Sequence, residues 1–237
     1  MTPPKHGAKG RLSTPEPLAS GSIDLGEKTC YLLGEGAQES CMTGIILAGG
    51  KSTRMGEDKA LIEVGGVSLF EKVYRVFEEL FSEIIIVAND ARPFERYEAR
   101  LQKDIVLDKG ALGGLYTGLF HSPSLYAFCA ACDMPLLNPP LIKYMVEERD
   151  EYDVIIPRTR DGLHPLHAIY SKRCLDPMRQ LLIRDDLRII NFLPRVTVRY
   201  IEEMEIRDFD PHMRSLINVN TEEEIEAVRT ILMEAPQ

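Results

Sequence analysis

The sequence predicts a three-layer α/β fold, in which a mostly parallel β-sheet is covered by helices on both faces. Three observations support this prediction. Short runs of Ile, Val, Leu and Ala alternate with amphipathic segments of helical period. The runs are almost continuously apolar, as expected for parallel strands buried on both faces. Polar side chains follow directly after the runs, and in open α/β sheets ligands bind beyond the carboxyl ends of the strands.

The elements follow one another in order from residue 44 onward. The predicted strands are GIILAG, IIIVA, DIVLD, LYAFCAAC, DVIIP, LHAIY, VTVRYI and SLINVN. The predicted helices cover residues 68–83, 94–101, 113–122, 138–150, 171–193 and 222–234. Capping boxes are predicted at Ser68 with Glu71 and at Thr221 with Glu224, and Asn138 precedes a proline at a first helical position.

Composition and charge narrow the class of protein. The chain has 237 residues, of which 44% are hydrophobic and 27% charged, as in ordinary soluble globular proteins. A net charge of −9 argues against a general nucleic-acid binder, which needs a basic face. No apolar run approaches the roughly 20 residues that span a bilayer, and the N-terminus lacks the apolar core of a secretory signal. We therefore expect a cytoplasmic protein without nucleic-acid or membrane partners.

Residues 1–41 differ in composition from the rest of the chain. They are rich in Pro, Gly, Ser and Lys and show no sustained hydrophobic period. Such composition is typical of a disordered tail, because it cannot bury enough apolar surface to offset the entropy of folding. We therefore expect a tail over residues 1–41 and one domain over residues 42–237.

The cysteines are expected to be reduced thiols. There are five, an odd and scattered set, which favours a cytoplasmic location. Cys129 and Cys132 form a C-x-x-C pair, but residues three apart on a strand point to opposite faces and cannot share a metal ion. No second pair completes a zinc site. We interpret both as core thiols.

Polar side chains follow five of the predicted strands. Because these strand ends meet at one edge of the sheet, the residues are expected to converge on one site. The alternative is that Asp and Asn simply form turns after strands. The candidate residues are Lys51, Arg54, Asp58, Lys59, Asn89, Asp90, Asp108, Asp133, Asn218 and Asn220.

The glycine-rich loop after the first strand is not a Walker A P-loop. In that motif the first glycine would occupy the position of Ile45, and the helix would begin at Ser52, whereas no helical stripe begins before Ser68. Gly49 and Gly50 still let backbone N–H groups approach an anion. Arg54 can grip phosphate oxygens with its guanidinium group and Lys59 adds a compact charge. The alternative for both cations is a solvated surface loop.

Several segments resemble one enzyme family. LAGGKSTRMGEDKALIEVGG closely resembles the signature L-A-G-G-x-S-x-R-M-G-x-D-K-x-L of the molybdenum cofactor guanylyltransferases, members of the nucleotide-diphospho-sugar-transferase-like superfamily. GALGGLYTGL resembles the family's G-P-L-A-G segment, CDMP its metal-binding Asp segment, INVNTEEE its N-V-N-T-P-E-E ending, and HPLHAIY a stretch near the second substrate. The resemblance covers most of residues 43–233. Ala111, Gly114 and Glu222 depart from the family pattern.

The resemblance implies a Rossmann-like, three-layer fold of the nucleotide-diphospho-sugar transferase type and a Mg²⁺-dependent nucleotidyltransferase. The implied reaction transfers GMP from GTP to molybdopterin or the molybdenum cofactor and releases pyrophosphate. Cofactor-insertion proteins or molybdoenzyme chaperones are further implied partners. Two alternatives stay open. One is a CTP-using transferase of molybdopterin or sugar phosphates on the same fold, and the other is a non-catalytic carrier of nucleotide or pterin.

The resemblance also assigns roles to individual residues. The implied second-substrate contacts are His164 and Pro165, whereas His167 is interpreted as structural. The implied metal ligands are Asp133 and Asn220, with Asn218 as an alternative to Asn220. The implied catalytic residues are Arg54, Lys59 and Asp133. The implied nucleotide-binding residues are Leu47, Ala48, Gly49, Gly50, Lys59, Asn89, Asp108 and Asp133, although some relatives place the Asn at the position of Val87.

Overall fold

A mostly parallel sheet runs through the middle of the molecule. The computed structural model describes residues 42–49 and 62–234. The strands are β1 (Thr43–Leu47), β2 (Glu63–Val64), β3 (Val67–Ser68), β4 (Glu83–Val87), β5 (Arg100–Gln102), β6 (Tyr126–Ala131), β7 (Val154–Thr159), β8 (Gly162–Leu163), β9 (His167–Ser171) and β10 (Val198–Glu202). The helices are α1 (Leu69–Leu80), α2 (Gly110–His121), α3 (Pro139–Glu147), α4 (Leu175–Ile183), α5 (Glu203–Phe209) and α6 (Glu222–Glu234).

The strand order of the main sheet is β10-β7-β9-β6-β1-β4-β5, with β8 paired to β7 and a separate β2–β3 hairpin. Strand β1 is parallel to both β4 and β6, and Leu47 is level with Val87 and Ala131. These strands therefore end together, at what we call the carboxyl edge. Strand β9 runs antiparallel to its neighbours, and His167 pairs with Ala130. The start of β9 consequently lies at the carboxyl edge as well.

Two apolar layers cover the sheet, one on each face. Side chains of α1, α3 and α5 form one core with Ile46 of β1, and side chains of α2 and α4 form the other with Ile45. Burial of one large apolar side chain stabilises a fold by about 1.5–3 kcal/mol. The alternation of neighbouring β1 residues between the two cores confirms the predicted three-layer α/β fold.

Two glycines allow helices to pack directly on β1. A Cβ atom at Gly44 would lie 2.5 Å from Cδ1 of Phe77 in α1, and one at Gly118 of α2 would lie 2.5 Å from Cγ2 of Ile45. Real Cβ atoms do not approach carbon so closely, and interiors are too densely packed to absorb the overlap without cost. Both helices are thereby held close to the strand that leads into the glycine loop.

The predicted helix starts are confirmed at three positions. Ser68 Oγ accepts from the backbone N–H of Glu71, and Asn138 Oδ1 accepts from that of Leu141. At α6 the capping box is reciprocal: Thr221 Oγ1 accepts from Glu224 N at 3.2 Å, and Glu224 Oε2 accepts from Thr221 N at 3.0 Å. Each cap satisfies backbone donors that would otherwise lack a partner.

The predicted helix over residues 94–101 and the predicted strand DIVLD are wrong. The chain forms a short 3₁₀ turn, Arg92–Phe94, and then β5, while residues 104–108 form a loop before α2. Phe94 packs on Phe70 of α1 with ring centroids 4.5 Å apart, and this long-range contact holds the turn. In the loop, Ile105 and Leu107 are 46% and 65% exposed, so an apolar run here does not mark a buried strand.

Two later segments also differ from prediction. SLINVN forms a 3₁₀ turn, Arg214–Leu216, followed by extended chain without strand pairing. The backbone N–H of Val219 donates instead to the carbonyl of Asp133. The predicted helical region 171–193 is divided, because α4 ends at Ile183. A 3₁₀ segment, Ile189–Arg195, follows after a turn at Asp185, whose φ is +58°.

The remaining predictions concern the C-x-x-C cysteines, membrane-spanning segments and the tail. Cys129 belongs to the core under α2 and α4, whereas Cys132 packs against the opposite core, as expected for residues on opposite faces. Within residues 42–49 and 62–234, no helix combines the length and apolar character needed to cross a bilayer. The predicted tail, residues 1–41, lies outside the described residues.

Candidate active site

The carboxyl edge carries a row of polar groups around the end of β1. Leu47 and Ala48 are buried, and Ala48 N donates to the carbonyl of Val87 at 2.9 Å. Asn89 follows β4 and Asp133 follows β6. The structure thus brings these predicted site residues to one edge. The predicted site residues Gly50, Arg54 and Lys59 lie outside the described residues.

Gly49 is exposed at the point where the described part of the first loop ends. A Cβ atom there would meet its nearest described neighbour, the carbonyl oxygen of Val87, at 3.8 Å, an ordinary contact. Packing against the described residues therefore does not require glycine at this position. Close approach of a ligand to the backbone stays the predicted reason for glycine here.

Asp133 lies beside the segment that precedes α6. Its carbonyl accepts a hydrogen bond of 2.8 Å from Val219 N, and Asp133 itself is half-buried. This bond brings the segment with the half-buried Asn218 and the exposed Asn220 to the same edge. In the described ranges, no group of three or more His, Cys, Asp or Glu residues could hold a metal ion by itself. A metal ion at Asp133 would therefore need further ligands, such as amide or phosphate oxygens.

Asp104 is a candidate that the sequence analysis missed. Asn89 Nδ2 donates to Asp104 Oδ2 at 3.0 Å, whereas the buried Oδ1 has no hydrogen-bond partner among the described residues. A Cβ atom at Gly114 would lie 3.3 Å from Leu47 Cδ2 and 3.7 Å from Asp104 Oδ1, so this carboxylate lies near Leu47. Burial raises the pKa of Asp104. An unsatisfied buried carboxylate oxygen is costly, and donors from a ligand would remove that cost.

The strand prediction for DIVLD favours Asp108, the residue after the apolar run Ile105–Leu107, and not Asp104, the residue before it. Asp108 is exposed, with φ of +60°, in the turn before α2. Aspartate tolerates this left-handed conformation better than most residues. The next residue, Lys109, donates to Asp185 Oδ1 at 2.7 Å and thereby links the start of α2 to the turn after α4. A nucleotide contact by Asp108 stays a prediction.

The predicted second-substrate residues lie beside the end of β6, where Ala131 N donates to the carbonyl of Leu166. His164 Nε2 lies 2.9 Å from Thr159 Oγ1, and His164 N donates to the carbonyl of Pro157. Tyr170 Oη donates to the carbonyl of Pro165 at 2.6 Å. Burial lowers the pKa of His164, which favours a neutral imidazole. His164 and Pro165 are thus firmly held between β7 and β9.

His167 is fully buried at the first position of β9. Neither ring nitrogen has a hydrogen-bond partner in the described parts of the chain, and the ring meets Phe128 edge-on at 5.2 Å. Burial lowers the pKa of His167 to about 3. The side chain behaves as a neutral, aromatic part of the core, in agreement with its interpretation as structural.

Comparison with known proteins identifies the family of this chain. Residues 44–196 match the model of the MobA-like NTP transferase domain. The chain belongs to this family. It is therefore a nucleotidyltransferase, as the glycine-loop signature predicted.

This enzyme aligns with nearly the whole length of its relatives. It is 36% identical over 189 residues to a "Probable molybdenum cofactor guanylyltransferase" of Pelotomaculum thermopropionicum, covering 80% of this chain and 92% of the relative. It is 35% identical over 187 residues to a molybdenum cofactor guanylyltransferase of Desulfosudis oleivorans, covering 78% and 93%. A crystal structure of molybdopterin-guanine dinucleotide biosynthesis protein A from Archaeoglobus fulgidus has a TM-score of 0.72 and 26% identity, covering 82% of this chain and 100% of that one.

The carboxyl edge of this nucleotidyltransferase has two parts. We call the ends of β1, β4, β5 and β6 the nucleotide half, because they carry Asp104 and the predicted nucleotide-binding residues Asn89 and Asp133. We call β7, β8, β9 and β10 the acceptor half, because they carry the predicted second-substrate residue His164. Strand β9 alone separates β6 from β7, and strands lie about 4.8 Å apart, so the two halves meet within about 10 Å. That distance suits a transfer between two bound substrates.

Proposed function

We propose that this nucleotidyltransferase transfers GMP from GTP to molybdopterin or its molybdenum-loaded form in a Mg²⁺-dependent reaction. The products are the guanine dinucleotide form of the cofactor and pyrophosphate. The names of the relatives support the substrates. The observation that carries the proposal is the row of Leu47, Asp104 and Asp133 at one edge, next to the firmly held His164. Cofactor-insertion proteins or molybdoenzyme chaperones are the proposed recipients of the product.

The nucleotide half suits a guanine base. Guanine presents N–H donors at N1 and N2, and a carboxylate is an acceptor that can receive both. Asp104 is held by the Asn89 amide through Oδ2 and has its buried Oδ1 available among the described residues. Asp108 is the second candidate acceptor. The backbone of residues 47–49 would contact the base and ribose.

Asp133 suits a magnesium ion that is shared with the nucleotide. Mg²⁺ takes one or two carboxylates and completes its shell with phosphate oxygens and water. A single half-buried carboxylate beside the segment of Asn218 and Asn220 fits this pattern. When bound, the ion would neutralise negative charge on the phosphates.

The reaction needs two polyanions to be held in line. An oxygen of the acceptor's phosphate monoester forms a new bond to the α-phosphorus of GTP, and the bond from that phosphorus to the bridging oxygen breaks. The bridging oxygen leaves with its electron pair as part of pyrophosphate. Such chemistry depends mainly on positioning and on neutralising charge. Arg54 and Lys59 are proposed to stabilise the leaving pyrophosphate, and no side-chain nucleophile is required.

On the acceptor half, His164 and Pro165 are proposed to contact the second substrate. A neutral His164 can donate or accept a hydrogen bond without adding charge. Its 2.9 Å contact with Thr159 restrains the ring, so less entropy is lost when the substrate binds.

Pyrophosphate release tests the proposal. It should be measured with GTP, CTP, UTP and ATP, each with and without molybdopterin and Mg²⁺. We expect rapid release only with GTP, molybdopterin and Mg²⁺ together. Preference for CTP would instead support a cytidylyltransferase, and GTP binding without pyrophosphate release would support a carrier.

A further inference from the structure

An open cleft of about 460 Å³ lies on the acceptor half, between the end of α4, the 3₁₀ segment Ile189–Arg195 and strand β10. Its apolar wall includes Leu163, Ile190, Leu193 and Tyr200. Its charged rim is formed by Arg184, Arg195 and Asp186. The volume is within the range of small-molecule sites, and an apolar wall with a few polar groups is typical of them. We call it the Arg184 cleft.

The arginines of this cleft differ from most others in the enzyme. In the described part of the chain most arginines form an ion pair with a carboxylate, as Arg179 does with Asp176. Arg184 and Arg195 form none with a described carboxylate, and neither does Arg188 in the same loop. Among the described residues, the Arg195 side chain donates to the neutral amide oxygen of Gln180 and to no carboxylate. An acidic chain that leaves three neighbouring arginines unneutralised has a local preference for an anion.

Asp186 does not neutralise these arginines directly. Its two carboxylate oxygens accept from Asn191 Nδ2 at 2.9 and 2.8 Å, and Oδ1 also accepts from Arg188 N. Through these bonds the carboxylate stabilises the loop between α4 and the 3₁₀ segment. The guanidinium groups of Arg184 and Arg195 keep donors for a ligand.

Two connections join the Arg184 cleft to the reaction site. Leu163 of its wall directly precedes His164, and Asp185, next to Arg184, binds Lys109 at the start of α2. Strand β10 is three strands from β6, so Tyr200 is about 14 Å from β6 across the sheet. Along the strands Tyr200 is level with Cys129, so a ligand from the cleft must extend both across the sheet and up to the carboxyl edge to reach Asp133.

We propose that the Arg184 cleft holds the fused heteroaromatic ring end of the acceptor, together with its anionic substituents, while the acceptor's phosphate extends toward Asp133. Tyr200, Leu163 and Ile190 contact the ring, and Arg184 and Arg195 bind the anionic groups. This inference rests on the proposed function, because it names where the rest of the second substrate lies.

The first test removes the charges. The double variant Arg184→Gln/Arg195→Gln is compared with Arg179→Gln, which changes an exposed arginine of α4 outside the cleft. Binding of molybdopterin is titrated without GTP, and the KM values for molybdopterin and GTP are measured from pyrophosphate release. We expect the cleft variant to bind molybdopterin about tenfold or more weakly and to raise its KM similarly, with the KM for GTP unchanged. The control should match the wild type.

The second test changes the apolar wall with a matched pair. Ile190→Asp places a carboxylate in the cleft, whereas Ile183→Asp places one on the exposed end of α4; the two residues are 42% and 74% exposed, so both variants should fold. Only Ile190→Asp should weaken molybdopterin binding. Equal molybdopterin affinity in the cleft variants and their controls would overturn the inference. Absence of pyrophosphate release from the wild type would overturn the proposed function instead, and the binding titration would still decide the cleft.

Discussion

The two halves of the carboxyl edge are built differently. On the nucleotide half, parallel strands end level with one another and short polar side chains follow within a few residues, as Asn89 follows β4 and Asp133 follows β6. On the acceptor half, β9 runs the opposite way, and the proposed acceptor site is formed by the β7–β8 hairpin and by the loop after α4. A parallel array therefore places a site by strand order alone, whereas the antiparallel part needs long-range contacts to place one.

The halves also differ in charge. The described nucleotide half presents the carboxylates Asp104 and Asp133, which by themselves would repel a triphosphate. A nucleotide held there needs cations, and Arg54 and Lys59 of the glycine loop are the ones predicted to bind its phosphates. The acceptor half carries many arginines, but Arg158 and Arg207 are paired with Glu202 and Glu203. Only in the Arg184 cleft are neighbouring arginines left without described carboxylate partners.

Asp133→Asn should have the largest effect and should act on turnover. Loss of the proposed metal ligand is expected to lower kcat/KM by on the order of 10³-fold, or about 4 kcal/mol, in the presence of Mg²⁺. Pyrophosphate release measures this change, and circular dichroism checks that the fold persists. Asp150→Asn, at an exposed position, is the control. Near-normal turnover of Asp133→Asn would remove Asp133 from the chemistry.

Lys59→Ala should have the next largest effect. Loss of a charge beside the leaving pyrophosphate is expected to cost roughly 2–4 kcal/mol of transition-state stabilisation. Comparison of kcat/KM with that of Lys172→Ala, beyond the opposite edge of the sheet, measures the effect. If the two variants behave alike, Lys59 does not belong to the nucleotide half.

Asp104→Asn tests whether the nucleotide half recognises the guanine base. Replacement of a carboxylate acceptor is expected to raise the KM for GTP about tenfold, with the KM for molybdopterin unchanged. The preference for GTP over ITP, which lacks the N2 amino group, should also decrease. The same assays on Asp108→Asn separate the two candidate acceptors, because a larger effect there would favour the exposed residue instead.

Protonation of His167 should have the smallest effect, and it should change the stability of the fold rather than the binding of either substrate. Its pKa is about 3 in the folded enzyme against 6.5 for an ordinary histidine, so below pH 6.5 the unfolded chain binds more protons. Stability is therefore retained above pH 6.5 and lost as the pH falls from 6.5 toward 3. Between pH 7.5 and 5.5, the free energy of unfolding should fall by about 1.4 kcal/mol from this residue.

Urea unfolding at the two pH values measures the His167 effect. His167→Leu should lose about that part of the pH dependence, whereas His212→Leu, at an exposed position, should keep it. An unchanged pH dependence in His167→Leu would show that protonation of this buried ring does not control acid stability.

Much of the nucleotide half is predictable from local properties of the sequence. The order of apolar runs and amphipathic helices predicted the α/β class and most elements, since their periodicity and caps are local properties. The glycine-loop signature predicted the family. Strand ends predicted the edge on which Asn89 and Asp133 lie, because parallel strands end together.

The remaining features depend on long-range packing. DIVLD and SLINVN have strand-like composition, yet exposure of Leu107 and the bond from Val219 to Asp133 leave them outside the sheet. The burial of Asp104 and the assembly of the Arg184 cleft also depend on elements far apart in the chain. Composition and period report what a segment prefers locally, whereas burial and unpaired charge depend on which distant groups pack against it.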